Sequence, residues 1–278
     1  MPLASNSYGK SGIRLVKLAR LGGPHDVLDL TVAVRFEGDF EAAHSAGDNA
    51  GVLPTDTMKN TVYALAKDHA AGEIEGFALA LSDHFLRENR EAARVEISIE
   101  ERRWNRIADT AFEGSTDERR IARVTGSRDG ASVESGLKNL LILKTSQSAF
   151  SGFKRDRFTT LKETSDRILA TSLTAIWTHD AAAGPFASWE GVRRSLLDAF
   201  AAHDSASVQH TLYAMGEAAL ADHSGLSRIR LTMPNKHHLL VDLSPFGLEN
   251  ENEIFVATEA PYGLIEATVV RNGSQPGR

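Results

Sequence analysis

The chain is predicted to be an α+β protein built from two copies of a ββααββ unit, with antiparallel sheets covered by helices on one face. Strict alternation in two stretches, helical spacing between them and a return of the same order in the second half predict it. Residues 27–37 place Leu28, Leu30, Val32, Val34 and Phe36 on one face and Asp29, Thr31, Ala33, Arg35 and Glu37 on the other, the period of a half-buried strand. Gly22-Gly23-Pro24 reads as a hairpin turn joining that strand to an earlier one. Residues 56–70 contain neither proline nor glycine, and Ile74, Phe77, Ala78, Leu81 and Phe85 then recur at helical spacing. Val95, Ile97 and Ile99 alternate with Glu96, Ser98 and Glu100, which restores strand. In the second half, strands are expected near 136–145 and 169–178, helices near 188–202 and 206–221, and strands near 226–232 and 237–243. The second of these helices sets Val208, Leu212, Met215 and Ala219 on one face. Short strands near 253–257 and 264–270 follow. A sheet covered on one side keeps a solvent face and two open edges, which invites closure by neighbouring subunits.

Composition narrows the function classes. With 278 residues the chain is long enough for two domains, each with its own core. Hydrophobic content of 42% and charged content of 24% are ordinary for a globular protein, and no apolar run reaches the ~18 residues of a membrane span. There is no cysteine, which excludes disulfides, thiolate catalysis and cysteine-held zinc or iron–sulfur sites. A net charge of −6 gives no general attraction to nucleic acid. Residues 1–13 lack a basic-then-apolar leader and the last residues read SQPGR, not an SKL-type address, so the cytoplasm is the expected location.

The chemistry concentrates in residues 143–169, LKTSQSAFSGFKRDRFTTLKETSDRIL, too polar for a core segment and too regularly aromatic for an ordinary loop. Phe150 and Phe153 bracket a Ser-Gly turn, a Lys-Arg-Asp-Arg run follows, and Arg167 stands between Asp166 and Ile168. An aromatic face with a fixed guanidinium suits a flat anionic heterocycle. Taken singly, each residue also has a plainer reading: Arg167 as a surface ion pair, Phe150 as core, Gln209 as a solvated helix residue. Pro54-Thr55-Asp56 looks like a helix start, where a Thr or Asp cap is routine and where an anion is also favoured. His237 and His238 on a strand point to opposite faces and do not easily share a metal. Asn235 after Pro234 also suits a turn. Glu163, Asp166, Glu249, Glu251 and Glu253 lack metal-ligand spacing and read as solvated surface, and no Walker-type phosphate loop is present.

Five separated segments, YGKSGIRLVKL at 8–18, GDNAGVLPTDTMKNTVYALAKD at 47–68, residues 143–169, DSASVQHTLYAMG at 204–216 and LTMPNKHHLLVDL at 231–243, occur in an order that resembles the urate oxidase family. Residues 87–133 match it poorly. The resemblance implies two tandem tunnelling-fold domains, 1–133 and 134–278, whose subunits join into a barrel and stack as a homotetramer with active sites at subunit interfaces. It implies oxidation of urate by molecular oxygen and water to 5-hydroxyisourate and hydrogen peroxide, with no metal, flavin or haem. By match to the family motifs, Lys10, Thr55 and His237 form the proton relay. Thr55, Asp56, Phe150, Arg167, Val208, Gln209 and Asn235 bind substrate, with Phe150 stacking, Arg167 and Gln209 gripping one edge, and Asn235 and Thr55 holding oxygen or water above the ring. The Lys-Thr-Asp and Arg-Gln groups come from different subunits in the family. Two alternatives stay open: a urate- or purine-binding protein without turnover, and a zinc-dependent tunnelling-fold enzyme acting on a pterin or purine.

Overall fold

The structure, a computed structural model, describes residues 3–20, 22–70, 72–180, 182 and 184–271. The chain divides into two compact units, one formed by residues up to 136 with 178–186, the other by 137–177 with the chain from 187 onward. The first contains β1 (Ser7–Ala19), β2 (Asp26–Gly38), α1 (Glu41–Ser45), α2 (Thr55–His69), α3 (Ile74–Glu88), β3 (Ala92–Ala108) and β4 (Ala111–Ser127). Two strands, β5 (Gly130–Lys144) and β6 (Leu169–His179), contribute residues to both units. The second unit adds α4 (Trp189–Ala202), α5 (Val208–Asp222), β7 (Leu226–Lys236), β8 (His238–Leu240), β9 (Phe255–Ala257) and β10 (Gly263–Val270). No helix among the described residues is long and apolar enough to cross a membrane.

The alternation in β2 becomes the core of the first unit. Val32, Val34 and Phe36 pair across an antiparallel ladder with Ile99, Ile97 and Val95, and all six are buried. Met58, Val62 and Ala66 of α2 and Ile74, Phe77, Ala78, Leu81 and Phe85 of α3 belong to the same cluster. Each fully buried Leu, Ile, Val or Phe of this set contributes roughly 1.5–3 kcal/mol relative to exposure. The opposite face is less solvated than alternation predicts. Asp29 is buried, because Arg14 pairs with one carboxylate oxygen at 2.6 Å and the Trp104 indole N–H donates to the other at 3.3 Å.

In the second unit, Leu169, Leu173, Ala175 and Trp177 of β6 form a cluster with Trp189, Val192, Leu196 and Phe200 of α4 and with all four residues predicted for the inner face of α5. The second ββααββ order ends differently from the sequence reading. The strand beside β7 is β10, in antiparallel register from Gly263↔Asn235 to Val270↔Arg228. The stretch expected as strand 237–243 instead supplies only His238–Leu240, in a two-stranded ribbon with β9. Leu239 and Leu240 are both exposed, so this segment has no buried face to hold it on the main sheet. The stretch 87–133 is dominated by regular strand, with β3 and β4 paired from Arg94↔Ser127 to Ala108↔Ala111 and irregular only near Trp104 and Ile107.

Candidate active site

In the first unit, Tyr8 ties the segment that carries Lys10 to the one that carries Thr55 and Asp56. Its ring packs edge-on against Phe36 and Phe40, with centroids 5.7 and 4.8 Å away, and its hydroxyl accepts the Leu53 N–H at 2.9 Å. Burial pushes the Tyr8 phenol up from its ordinary value, so it serves as a neutral hydroxyl. That bond ties β1, two residues before Lys10, to the chain two residues before Thr55. Immediately after Lys10, the β1–β2 register shifts by one residue before Ile13, with Gly12 in the left-handed region at φ 70°. Such a bulge re-aims the side chains beside it.

The expected cap is not formed by Thr55 or Asp56. Pro54 occupies the cap position without a side-chain bond, Thr55 is the first helical residue, and Asp56 turns along the helix to Lys59 at 2.5 Å and Asn60 at 3.1 Å. The Lys59 hydrogen bond and charge hold the Asp56 carboxyl below its ordinary value, helped by Asn60 and by the charge of Lys10. Asp56 is therefore an anion within electrostatic reach of Lys10.

Phe150, Arg167, Val208 and Gln209 are knit together in the second unit by short polar residues that the sequence does not single out. Ser148 and Ser205 form a parallel bridge: Ala149 N–H donates to the Ser205 carbonyl at 2.7 Å and Ser205 N–H to the Gln147 carbonyl at 3.0 Å. The Ser148 N–H donates to an Asp166 oxygen at 3.2 Å, fixing the residue before Arg167. Ser205 is buried; its hydroxyl accepts from Thr211 at 2.7 Å and donates to the Ser207 carbonyl at 3.0 Å, fixing the first turn of α5. Ser207 caps that helix through the His210 N–H at 3.2 Å, which leaves the N–H groups of Val208 and Gln209 at its open end. Val208 is buried there and the Gln209 side chain is exposed. Phe150 pairs with Thr164 in a further antiparallel bridge, and Gly152 N–H donates to Glu163 at 3.2 Å. Glu163 and Asp166, read as solvated surface, thus hold this loop while remaining exposed.

Arg167 does not form the surface ion pair that its Asp166 neighbour suggests. Its guanidinium carbon lies 5.1 Å from the Phe150 ring centroid, and its Nε is buried without a hydrogen-bond partner among the described residues. Burial pulls its pKa down from the ordinary value, yet a guanidinium stays cationic at neutral pH. A buried, unpartnered cationic donor beside an aromatic face is costly unless something completes it.

Asn235 is buried near the end of β7, opposite Gly263, so it is a strand residue and not a turn residue. His237 follows β7, where its carbonyl accepts from the Thr258 N–H at 2.8 Å and the Thr258 hydroxyl at 3.2 Å. His238 turns a ring nitrogen to the Lys236 carbonyl at 3.2 Å. Among the described residues, no group of three or more His, Asp or Glu side chains is set to hold a metal ion.

Fold and side chains define a class: an antiparallel α+β protein with a stacking ring and an unsatisfied guanidinium suited to a flat anion. The sequence model of the uricase family matches residues 6–127 and 133–266, so the stretch 87–133, expected to match poorly, lies within the match except for residues 128–132. The chain belongs to the uricase family. It is 45% identical over 276 residues to the uricase of Arthrobacter globiformis, covering 98% of this chain and 91% of that one. Against the uricase of Dictyostelium discoideum it is 36% identical over 286 residues, covering 98% and 99%. The crystal structure of the Arthrobacter globiformis uricase matches with a TM-score of 0.96 at 44% identity, over 100% of this chain and 98% of that one.

Proposed function

We propose that the chain is a urate oxidase that converts urate, oxygen and water to 5-hydroxyisourate and hydrogen peroxide without metal or organic cofactor. The observation that carries this is the Arg167–Phe150 pair. The guanidinium carbon stands 5.1 Å from the Phe150 centroid, so a cationic donor and an aromatic face lie within the span of one flat anionic heterocycle. The substrate then stacks on Phe150 and takes the free Arg167 donors on one edge. Gln209, able to donate and accept, grips the same edge, and the open N–H of Val208 adds a backbone donor. Lys10, Thr55 and His237 relay protons, since electron transfer to oxygen becomes easier once the purine has lost a second proton. Asp56 and Thr55 bind from the same side as Lys10, and Asn235 with Thr55 holds oxygen or water above the ring.

In this reading the protein comprises two tandem tunnelling-fold domains, 1–133 and 134–278, and works in the cytoplasm as a homotetramer whose barrels place active sites at subunit interfaces. The test follows urate absorbance and peroxide in aerobic buffer after exhaustive chelation, for wild type, Lys10→Met and Arg167→Ala. Equal amounts of urate lost and peroxide formed by wild type are expected, with each variant slower by at least about a hundredfold. Urate bound but not consumed supports a binding protein instead, and activity lost on chelation and restored by zinc supports a zinc enzyme.

A further inference from the structure

Phe153 stacks nearly parallel on Phe150, with centroids 5.0 Å apart and planes 13° from parallel, and the Arg155 guanidinium lies over the Phe153 ring at 5.5 Å. The chain makes this stack by turning back through Gly152, at φ 66°, whose N–H is held by Glu163. After Arg155, Asp156 accepts the Phe158 N–H at 2.9 Å and the Thr159 hydroxyl at 3.0 Å, which closes the loop. Phe153 is only partly buried and belongs to neither hydrophobic core. Its principal described contacts are thus a ring and a cation, not core packing.

We propose that Phe153 is a positioning residue for the substrate: it covers one face of Phe150, fixes the plane of that ring, and leaves the other face for a flat purine anion. This rests on the proposed urate site. Offset stacking restricts ring tilt and is lost when the partner is aliphatic. Arg155 acts through Phe153 by holding the far ring against the loop. Because the stack supports ground-state and transition-state binding alike, its loss appears in KM and not in kcat.

The test measures kcat and KM for urate, the affinity for urate under anaerobic conditions, and the thermal midpoint, for wild type, Phe153→Leu, Phe153→Tyr and Arg155→Gln. Phe153→Leu is expected to raise KM and the anaerobic Kd about two- to tenfold with kcat within about twofold of wild type. Phe153→Tyr should restore both, and Arg155→Gln should shift them by less than Phe153→Leu. Unchanged or tighter binding by Phe153→Leu overturns the inference, as does a fall in kcat and thermal midpoint with Kd unmoved. A wild type that binds no urate overturns the site itself, and this inference with it; a wild type that binds urate while Phe153→Leu binds it equally well overturns this inference alone.

Discussion

Two polar side chains in this fold, half-buried Arg167 and buried His179, have opposite meanings, and their hydrogen bonds tell them apart. Arg167 keeps an unpartnered nitrogen beside an aromatic ring, whereas His179 sits in a completed network. The Ser135 hydroxyl donates to Glu75 Oε1 at 2.5 Å and meets His179 Nε2 at 2.8 Å; Arg120 pairs with the other Glu75 oxygen at 2.7 Å and also with Glu73. Serine, histidine and glutamate are all present, yet no nucleophile results. The serine hydrogen is committed to the carboxylate, so Nε2 must carry a proton and donate, which removes it as a base toward that serine. Burial, with the Arg120 charge adding and Asp180 opposing, holds His179 down at about 4 from its ordinary value. The unfolded chain therefore takes up this proton first as pH falls: the contribution is intact above about 6.5 and is lost progressively toward the folded value near 4. Between pH 7 and 5, wild type should lose about 1–2 kcal/mol more unfolding free energy than His179→Gln, allowing for solvent screening. Urea titrations of both proteins at the two pH values measure this, and equal losses would remove His179 as the cause. The Arg167 role is legible in the sequence as a motif, but the His179 network is not. Ser135 and His179 are distant along the chain, and alternation marks each of them only as a strand position.

At the scale of elements, sequence pattern reads what is periodic and misses what is held by single contacts. The β2 and β3 alternation and the inner face of α5 are visible because burial repeats along them. The swap of 237–243 for β10 is not, since both stretches are short and apolar and only pairing to β7 selects between them. Likewise, the segments carrying Phe150, Arg167 and Gln209 are visible as motifs, but their junction through Ser148 and Ser205 depends on backbone pairing between distant residues. Gly9 is a case where an element tolerates one residue type. A Cβ there would stand 2.0 Å from the Val34 carbonyl oxygen and 2.9 Å from the Arg35 Cα, and these neighbours are backbone that cannot rotate away. Gly9→Ala must move β1 off β2 beside Lys10. A loss of about 3 kcal/mol is expected from overpacking, with turnover falling more than urate affinity because the displaced strand carries Lys10 and not Arg167. Denaturant titration with steady-state kinetics checks both parts, and a variant of wild-type stability would show that β1 does not approach β2 this closely.

For the whole molecule, the decisive arrangement is the division of the proposed site into a Lys10 set and an Arg167 set, each of which includes a relay residue and binding residues. Lys10, Thr55 and Asp56 belong to the first compact unit, and Arg167, Val208, Gln209, Asn235 and His237 to the second. If the two sets of one active site come from different subunits, as proposed, two inactive variants have complementary defects. A subunit carrying Lys10→Met still has an intact Arg167 set, and one carrying Arg167→Ala still has an intact Lys10 set. In a closed symmetric assembly, mixing them at random in equal amounts gives about a quarter of the sites both intact halves, another quarter neither. Co-refolded mixtures should then recover roughly a quarter of wild-type activity, while each variant refolded alone recovers none. Recovery should also vanish on dilution below the concentration at which subunits dissociate, because no single chain completes a site. If instead each chain builds its own site, every site in the mixture lacks one half, and activity stays at the level of the separate variants whatever the degree of assembly.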